Sequence, residues 1–389
     1  MPKDKPEIRF AGYTDAWEER KLSDMANVKT GFPFKNENFV DDGQYLVITN
    51  GNIQNDSAFV DGKVGNRITA VTDEIKEKYT LNYGDILVTM DGTVGRTAKV
   101  VEGNQILAQR VGRLVSESTP EFIYQWLNTG KFFTEMTKVS HGGTIKHISL
   151  SEIGDYVAYV PTSKDEREKI GSLFLNIDKT ITLHQRKLDL LKEQKKGYLQ
   201  KMFPKNGEKV PELRFAGFAD DWEKRKLGEI TNISTGKLDA NAMVDNGKYD
   251  FYTSGIKKYK INTPSFEGPA ITIAGNGATV GYMHLADNKF NAYQRTYVLQ
   301  NFLADRNFLF SEIGNKLPKK INQEARNGNI PYIVMDMLTE LKLTLPISDT
   351  EQQMIGIFLK QLDNLITVNQ RRVDLLKQEK KALLQKMFV

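Results

Sequence analysis

Two long segments without proline carry apolar residues on a repeating four-three spacing. The first spans residues 166–203 and the second spans residues 351–388, and the two align without a gap. Such a spacing predicts one continuous helix per segment, with the seam of a coiled coil along one face. An amphipathic helix that packs on a globular core is the alternative interpretation. The duplication favours the coiled coil, because two matching seams can cover one another.

Isolated polar residues interrupt the two seams at matching positions. His184 and Asn369 lie near the middle of their segments, and Lys195 and Lys380 follow further along. Polar residues in a coiled-coil seam fix its register. If the two halves of the chain are related by a pseudo-two-fold axis, the helices pair antiparallel, and we expect His184 to lie near Asn369.

A second motif extends the duplication to the whole chain. RFAGYTDAWEERKL at residues 9–22 recurs as RFAGFADDWEKRKL at residues 214–227. We expect Trp17 and Trp222 to be buried anchors of these opening segments. The second unit is shorter than the first, and the missing residues lie between the opening segment and the long helix.

Between the duplicated segments, β-branched runs bounded by Gly, Asn and Asp predict short strands. Examples are QYLVIT at residues 44–49 and GDILVTMDGTVG at residues 84–95, which the second unit matches with PAITIAGNGATVG at residues 269–281. Thr119, followed by a proline, predicts a helix start. Each unit therefore combines a shared frame with an interior of its own.

The predicted fold class is α+β. We expect two pseudo-two-fold-related α/β globular domains, residues 1–163 and 205–348, separated by two long antiparallel coiled-coil helices, residues 164–204 and 349–389.

The formal net charge of +5 comes from the two long helices, and the rest of the chain is close to neutral. Any DNA contact of the globular domains must then come from local basic patches. A solvated helix surface is an equally good explanation of the helical lysines. The chain has no cysteine and only four histidines, which excludes disulfides and argues against a metal cluster. Since the N-terminal residues lack an apolar stretch, we expect a cytoplasmic protein.

No catalytic signature is visible in the sequence. Residues 329–332, NIPY, resemble the Asn/Asp-Pro-Pro-Tyr/Phe loop of methyltransferases that modify DNA adenine. However, Ile330 replaces the first proline, and no Gly-rich cofactor strand precedes the loop. We therefore expect no catalytic residue, no metal and no cofactor in this chain. S-adenosylmethionine binding by the isolated chain would support the methyltransferase alternative.

Polar side chains on the predicted loops are candidate DNA contacts, because Arg and Asn can bind base edges and Lys suits phosphates. In the first unit the candidates are Lys35, Asn50, Asn52, Arg96, Arg110 and Lys146. In the second unit they are Lys237, Lys257, Lys258, Asn276, Arg295, Arg326 and Asn329. Arg110 and Arg295 occupy matching positions and could instead be structural, because a shared position cannot easily encode different bases.

This ordered repeat resembles the specificity (S) subunit of type I restriction–modification enzymes. The resemblance rests on the two tryptophan-containing opening segments, the GDILVTMDGTVG turn, the loops at Gly143 and Gly328, and the paired helices that end in LQKMF. It covers essentially the full chain.

The resemblance implies a non-catalytic subunit of a methyltransferase and endonuclease complex. Each globular domain would be a target recognition domain that reads one half of a bipartite sequence in double-stranded DNA. The long helices would space the domains and dock two methyltransferase (M) subunits, which would hold the S-adenosylmethionine, and restriction (R) subunits would join them. The alternative is a non-catalytic coiled-coil scaffold with two modules that bind ligands other than DNA, such as protein or glycan.

Overall fold

A computed structural model shows a chain that divides into two compact units. Unit 1 comprises Met1–Gln185 and Arg371–Val389, and unit 2 comprises Arg186–Gln370. Both long helices cross the boundary, so each unit takes in part of each helix. The described residues are 4–54, 57–101, 103–205, 207–324 and 331–389.

Unit 1 is built on small sheets. Its strands are β1 (Glu18–Lys21), β2 (Asn27–Thr30), β3 (Tyr45–Ile48), β4 (Arg67–Ile68), β5 (Ile86–Thr89), β6 (Thr97–Lys99), β7 (Gln105–Leu107), β8 (Val111–Val115) and β9 (Val157–Val160). They pair in the orders β2-β8-β5-β6, β4-β3-β7 and β1-β9. All four residues of β5 are buried, which explains the uninterrupted apolar run that predicted this strand.

Helices complete the core of unit 1. They are α1 (Asp73–Tyr79), α2 (Pro120–Leu127), α3 (Lys131–Val139), α4 (Leu150–Gly154), the first part of α5 (Lys164–Lys201) and the last part of the second long helix, from Arg371 onward. The predicted helix start after Thr119 is confirmed, with proline as the first residue of α2. Proline is tolerated there because its missing N–H would have no partner within the helix.

Unit 2 repeats the principal sheet of unit 1. Its strands are β10 (Glu223–Lys226), β11 (Asn232–Thr235), β12 (Tyr249–Tyr252), β13 (Tyr259–Ile261), β14 (Phe266–Glu267), β15 (Ala270–Ala274), β16 (Met283–Ala286), β17 (Lys289–Ala292), β18 (Thr296–Gln300) and β19 (Lys342–Leu345). The order β11-β18-β15-β16 reproduces β2-β8-β5-β6, the pair β10-β19 reproduces β1-β9, and the third sheet has the order β13-β12-β17-β14. The predicted mixed fold with two sheet-rich domains is confirmed.

The helices of unit 2 are α6 (Leu227–Ile230), α7 (Arg306–Glu324) and α8 (Met335–Thr339), followed by α9 (Asp349–Met387). The helices α5 and α9 confirm the two long helices predicted from the four-three spacing. They begin at Lys164 and Asp349, two residues before the segments with the four-three spacing. Both carry two acidic residues in the first turn, which are favourable next to the unpaired N–H groups of a helix N-terminus.

The long helices run antiparallel within unit 2. Lys195 near the end of α5 pairs with Asp363 of α9, with 2.5 Å between Nζ and Oδ1. Further along α5, the ring of Tyr198 lies 4.9 Å from that of Phe358, which precedes Asp363 in the chain. The contacts move forward on one helix as they move backward on the other, which defines an antiparallel pair.

Unit 1 contains the matching ion pair. Lys380 of α9 lies 2.6 Å from Asp178 of α5, and both side chains are largely buried. Gln125 of α2 donates a second hydrogen bond to Asp178, at 2.9 Å. The two lysines that interrupt the predicted seams are therefore the basic partners of aspartates on the opposite helix.

The opening segments attach to the starts of the long helices in the same way in both units. Arg9 donates from Nε and Nη2 to the carboxylate of Glu166, at 2.6 and 2.8 Å. Arg214 and Glu351 repeat this geometry at the same distances. Both glutamates are completely buried, and the predicted burial of the tryptophan anchors is confirmed. The repeated motif RFAG thus has a structural role.

The glycine near the start of each long helix allows close contact with a second helix. A Cβ atom at Gly171 would lie 2.8 Å from the backbone nitrogen of Phe122 in α2. A Cβ atom at Gly356 would lie 2.7 Å from the backbone nitrogen of Phe308 in α7. Neither separation is compatible with a side chain, so both positions need glycine.

A buried glutamate on α7 of unit 2 has a raised pKa. Glu312 on α7 is fully buried, and its Oε1 accepts a hydrogen bond from the backbone N–H of Thr344 at 3.1 Å. Burial raises the pKa of Glu312 to about 7, although the Lys316 ammonium lies 3.9 Å away and opposes this shift. Between about pH 4.5 and pH 7, Glu312 is therefore protonated in the folded chain and ionised in the unfolded chain.

This proton makes the stability of unit 2 depend on pH. Because the pKa is raised in the folded state, the associated stability is fully present below about pH 4.5 and is lost as the pH rises to about 7. The loss is on the order of 3 kcal/mol. We expect Glu312→Gln to remove this dependence in urea unfolding at a series of pH values. An unchanged pH profile in Glu312→Gln would contradict the assignment.

Candidate nucleic-acid interface

Three loops of unit 1 meet beside the end of β5. The backbone N–H of Met90 donates to the carbonyl of Arg110 at 3.2 Å, which ties β5 to the turn before β8. Gly92 donates to the carbonyl of Lys146, and Ile148 donates to the carbonyl of Met90, at 2.8 and 2.9 Å. The loop after β5, the turn before β8 and the loop of residues 141–147 therefore form one continuous surface.

Asp91 links these loops through its side chain. Nη1 of Arg110 lies 2.7 Å from one carboxylate oxygen, and Nδ1 of His147 lies 2.5 Å from the other. Burial acts to raise the pKa of Asp91, but the hydrogen bonds from Arg110 and His147 outweigh it and hold the pKa below its ordinary value. Arg110 is mostly exposed and adopts a backbone φ of 71°, in the left-handed region. Its guanidinium is thus oriented at the surface by a carboxylate.

Unit 2 has the same frame with different side chains. Gly275 donates to the carbonyl of Arg295 at 2.8 Å, and Ile333 donates to the carbonyl of Gly275 at 2.7 Å. The β-bridge between Asp91 and His147 in unit 1 recurs in unit 2 between Asn276 and Tyr332. An acid and a histidine in one unit are therefore replaced by an amide and a largely exposed tyrosine in the other.

Arg295 lies on this surface in a different setting from Arg110. Its side chain is exposed, and within the described ranges no carboxylate lies against it, since Asn276 stands where unit 1 has Asp91. Asn276 instead accepts a hydrogen bond from the hydroxyl of Ser254 at 2.5 Å. Both guanidinium groups are at the surface, and the alternative that Arg110 and Arg295 are structural stays open.

Asn52 is not part of this surface, and its selection as a candidate DNA contact is corrected. Only 4% of the residue is exposed. Its Oδ1 accepts hydrogen bonds from the backbone N–H and the hydroxyl of Thr49, and its Nδ2 donates to the carbonyls of Asp61 and Val64. The amide is saturated by its own loop and has no group left for a base.

The other candidates of unit 1 differ in accessibility. Lys35 and Lys146 are exposed, and Lys35 lies 3.6 Å from Glu37. Asn50 and Arg96 are half-buried, and Oδ1 of Asn50 and Nε of Arg96 lack hydrogen-bond partners in the described part of the chain. Such unpaired polar atoms are costly unless water or a ligand satisfies them.

In unit 2 the candidate lysines are all exposed. Lys257 and Lys258 lie over the rings of Tyr259 and Tyr252, at 5.2 and 5.3 Å from the ring centres, and Lys237 is solvated. Arg326 and Asn329 lie outside the described residues. Their proposed DNA contacts stay predictions.

Sequence reasoning missed Asp91, Ser254 and Tyr332 as members of this surface. A usable signal was present, because Asp91 aligns with Asn276 just after a matching strand, and His147 aligns with Tyr332. Positions that align on a shared frame but differ in chemistry are typical of residues that distinguish two ligands.

The register residues of the long helices lie in different units. Asn369 is buried, and its Nδ2 donates to the carbonyl of Leu365 at 2.7 Å. His184 is partly buried, and its Nδ1 has no hydrogen-bond partner within the described residues. The contact between His184 and Asn369 stays a prediction.

Among the residues that the structure describes, no group of three or more His, Asp or Glu side chains is arranged to hold a metal ion. None of the described helices is long and apolar enough to cross a membrane.

The sequence model of the type I restriction modification DNA specificity domain matches the chain twice, at residues 14–193 and 219–378. The chain belongs to this family of DNA specificity domains. Each match takes in most of one opening segment, one set of loops and most of one long helix. The surface around Asp91 and that around Asn276 are therefore equivalent parts of two specificity domains.

Two related proteins are named as specificity subunits of type I restriction enzymes. This chain is 39% identical to the type I restriction enzyme EcoDI specificity subunit of Escherichia coli over 146 residues. The matched stretch covers 38% of this chain and 31% of the relative. The chain is 22% identical to the type I restriction enzyme MjaVIII specificity subunit of Methanocaldococcus jannaschii over 347 residues, 78% of each. The chain spans less than a third of the E. coli relative.

A solved structure shares the fold of the two specificity domains. The S subunit of a type I restriction–modification system from M. genitalium superposes with a TM-score of 0.76, covering 99% of both chains at 18% identity.

Proposed function

We propose that this chain is the DNA sequence-specificity subunit of a type I restriction–modification complex, in which each unit reads one half of a bipartite target. The observation that supports this most is the pair of equivalent loop surfaces with different side chains, within two matches to a DNA specificity domain. Two domains that share a fold but differ in their loop side chains are suited to two half-sites of different sequence. A scaffold that binds protein or glycan is not favoured, because both halves match a DNA-directed domain.

On these surfaces, the residues common to both units and the residues that differ between the units are suited to different DNA contacts. Arg110 and Arg295 are common to both units, so they are suited to the phosphate backbone, which is the same at every half-site. The residues that differ, such as Asp91 and Asn276, are suited to base edges, because an acid can accept a hydrogen bond from cytosine and an amide can pair with adenine. This division explains how one frame reads two sequences.

We further propose that the long helices space the two units and dock two M subunits, with R subunits completing the complex. The chain itself is non-catalytic in this scheme, and the S-adenosylmethionine is held by the M subunits. Outside the two long helices the chain carries little net charge, so much of the phosphate contact would come from the M subunits. Assembly in the cytoplasm fits a chain without cysteine.

Arg295→Ala tests the assignment of the shared arginine to phosphate. We expect the variant complex with M subunits to lose affinity for target and non-target duplexes by the same factor. The slope of log affinity against log salt should become shallower by about one. Fluorescence anisotropy with both duplexes at several salt concentrations measures both effects.

The matched control is Lys224→Ala, because Lys224 is an exposed cation of β10, in the two-stranded sheet of the same unit. It should leave the affinity and the salt slope unchanged. Loss of affinity for the target alone in Arg295→Ala would show that Arg295 reads a base and would contradict the assignment. An equal loss in both variants would indicate a general charge effect.

A further inference from the structure

The outer edge of β6 in unit 1 is covered by a segment of the same chain. Residues 57–60 lie along this strand in the parallel direction, with a β-bridge between Phe59 and Lys99. The N–H of Lys99 donates to the carbonyl of Ala58, and the N–H of Val60 donates to the carbonyl of Lys99, both at 2.9 Å. An edge strand whose polar groups are paired in this way cannot accept another chain.

In the described part of unit 2, no segment covers the corresponding strand edge. Residues 49–85 connect β3 to β5 in unit 1, whereas only residues 253–269 connect β12 to β15 in unit 2. Part of this difference lies between β3 and β4, where residues 49–66 contain the covering segment, whereas only residues 253–258 join β12 to β13. Within the described residues, β16 pairs only with β15.

The free edge of β16 offers the same backbone groups as Lys99. Leu285 pairs with Ile271 of β15 as Lys99 pairs with Ile86 of β5. Tyr282 accepts a hydrogen bond from Ala274 at 2.8 Å, so it faces β15. In an antiparallel ladder the bonding alternates, so the N–H and C=O of Leu285 point away from β15. These groups correspond to those that bind the covering segment in unit 1.

A basic cleft of about 610 Å³ lies beside this edge in unit 2. Its walls include Lys195, Lys258, Lys360, Tyr282, His284 and Phe310. Asp363 is the one acidic side chain in the described lining, and it is paired with Lys195. The rings of Tyr282 and His284 lie 4.9 Å apart and form an aromatic wall. The cleft thus combines a free strand edge, an aromatic surface and an excess of positive charge.

We propose that the free edge of β16 and this basic cleft bind an extended acidic peptide segment of a partner protein, which adds to β16 as residues 57–60 add to β6. Main-chain hydrogen bonds to Leu285 supply affinity, and the lysines select carboxylates. The covering segment of unit 1 is itself the example of such a strand, and it lies in the acidic sequence NDSAFVDG, residues 55–62. The binding does not depend on which DNA bases unit 2 reads.

A labelled synthetic peptide with the sequence NDSAFVDG is the probe. We expect saturable binding to the full chain in fluorescence anisotropy. The same peptide with V60P lacks the N–H that donates to Lys99 in unit 1, so it should bind about tenfold more weakly. Lys360→Glu in the full chain should weaken binding several-fold through like-charge repulsion. In hydrogen exchange, the peptide should slow exchange at Leu285 and leave Lys99 unchanged.

Three results would overturn this proposal. They are the absence of saturable binding, equal binding of the V60P peptide, and equal binding to the Lys360→Glu chain. A fourth result would also overturn the proposal and would assign the cleft to a different ligand. If Lys360→Glu weakens the binding of a mixed-sequence DNA duplex while the peptide does not bind, the cleft belongs to the DNA backbone.

Discussion

Arg9→Ala is expected to destabilise unit 1 by about 3–5 kcal/mol, because it leaves the buried carboxylate of Glu166 without a partner. The bidentate pair is the link between the opening segment and the start of α5. Its loss should release the opening segment first. Hydrogen exchange read by mass spectrometry should show faster exchange in residues 9–22 and unchanged exchange in unit 2.

The duplicated chain supplies the matched variant. Arg214→Ala removes the partner of Glu351 in unit 2 and should produce the same loss there, with unit 1 unaffected. The double variant Arg9→Met with Glu166→Leu should recover most of the lost stability, because a buried ion pair can be replaced by apolar residues at little cost. If Arg9→Ala alone changes stability by less than about 1 kcal/mol, as exposed ion pairs do, the pair is not a buried anchor.

Phe388→Ala is expected to cost about 3–5 kcal/mol in unit 1, since it removes a buried ring from a packed cluster. The ring of Phe388 lies 6.2 Å from Trp17, 5.6 Å from Phe122 and 6.0 Å from Phe174. These residues come from the opening segment, α2 and α5. The variant should therefore loosen the end of α9 from the rest of unit 1, which a shift of the urea midpoint and faster exchange in residues 371–389 would record.

Phe203→Ala is the corresponding variant of unit 2, where Phe203 lies 6.1 Å from Trp222 and 5.4 Å from Phe308. It should lower the stability of unit 2 and leave residues 371–389 unchanged. Leu375→Ala is a control on α9 itself, because Leu375 is an exposed apolar residue of the same helix. A loss in Leu375→Ala as large as that in Phe388→Ala would show that helix propensity, and not the aromatic cluster, accounts for the effect.

Periodicity and duplication were sufficient to predict the long helices and the repeated frame. A four-three spacing is a local property of the chain, and a repeat can be counted without knowing any contact. The same information located Lys195 and Lys380 in the seams. It could not name Asp363 and Asp178 as their partners, because the partner depends on the register between two helices that are far apart in sequence.

The candidate site was harder to predict for a related reason. Asn52 and Asn276 are both asparagines next to glycines. The side chain of Asn52 is fully hydrogen-bonded to its own loop, whereas Asn276 lies on the surface that both units share. Asparagine is common in turns because it bonds to nearby backbone, and sequence does not separate that role from ligand contact. The pairing of Arg110 with Asp91 likewise depends on how the turn before β8 meets the end of β5.

Sequencing of DNA methylation in cells that express this chain together with its M subunit tests the central claim most directly. We expect a new methylated motif of two defined parts separated by an undefined gap, and we expect this motif to be absent from cells that express the M subunit alone. A motif that is present without this chain, a single continuous motif, or no new motif at all would contradict the claim that two specificity domains read two halves of one target.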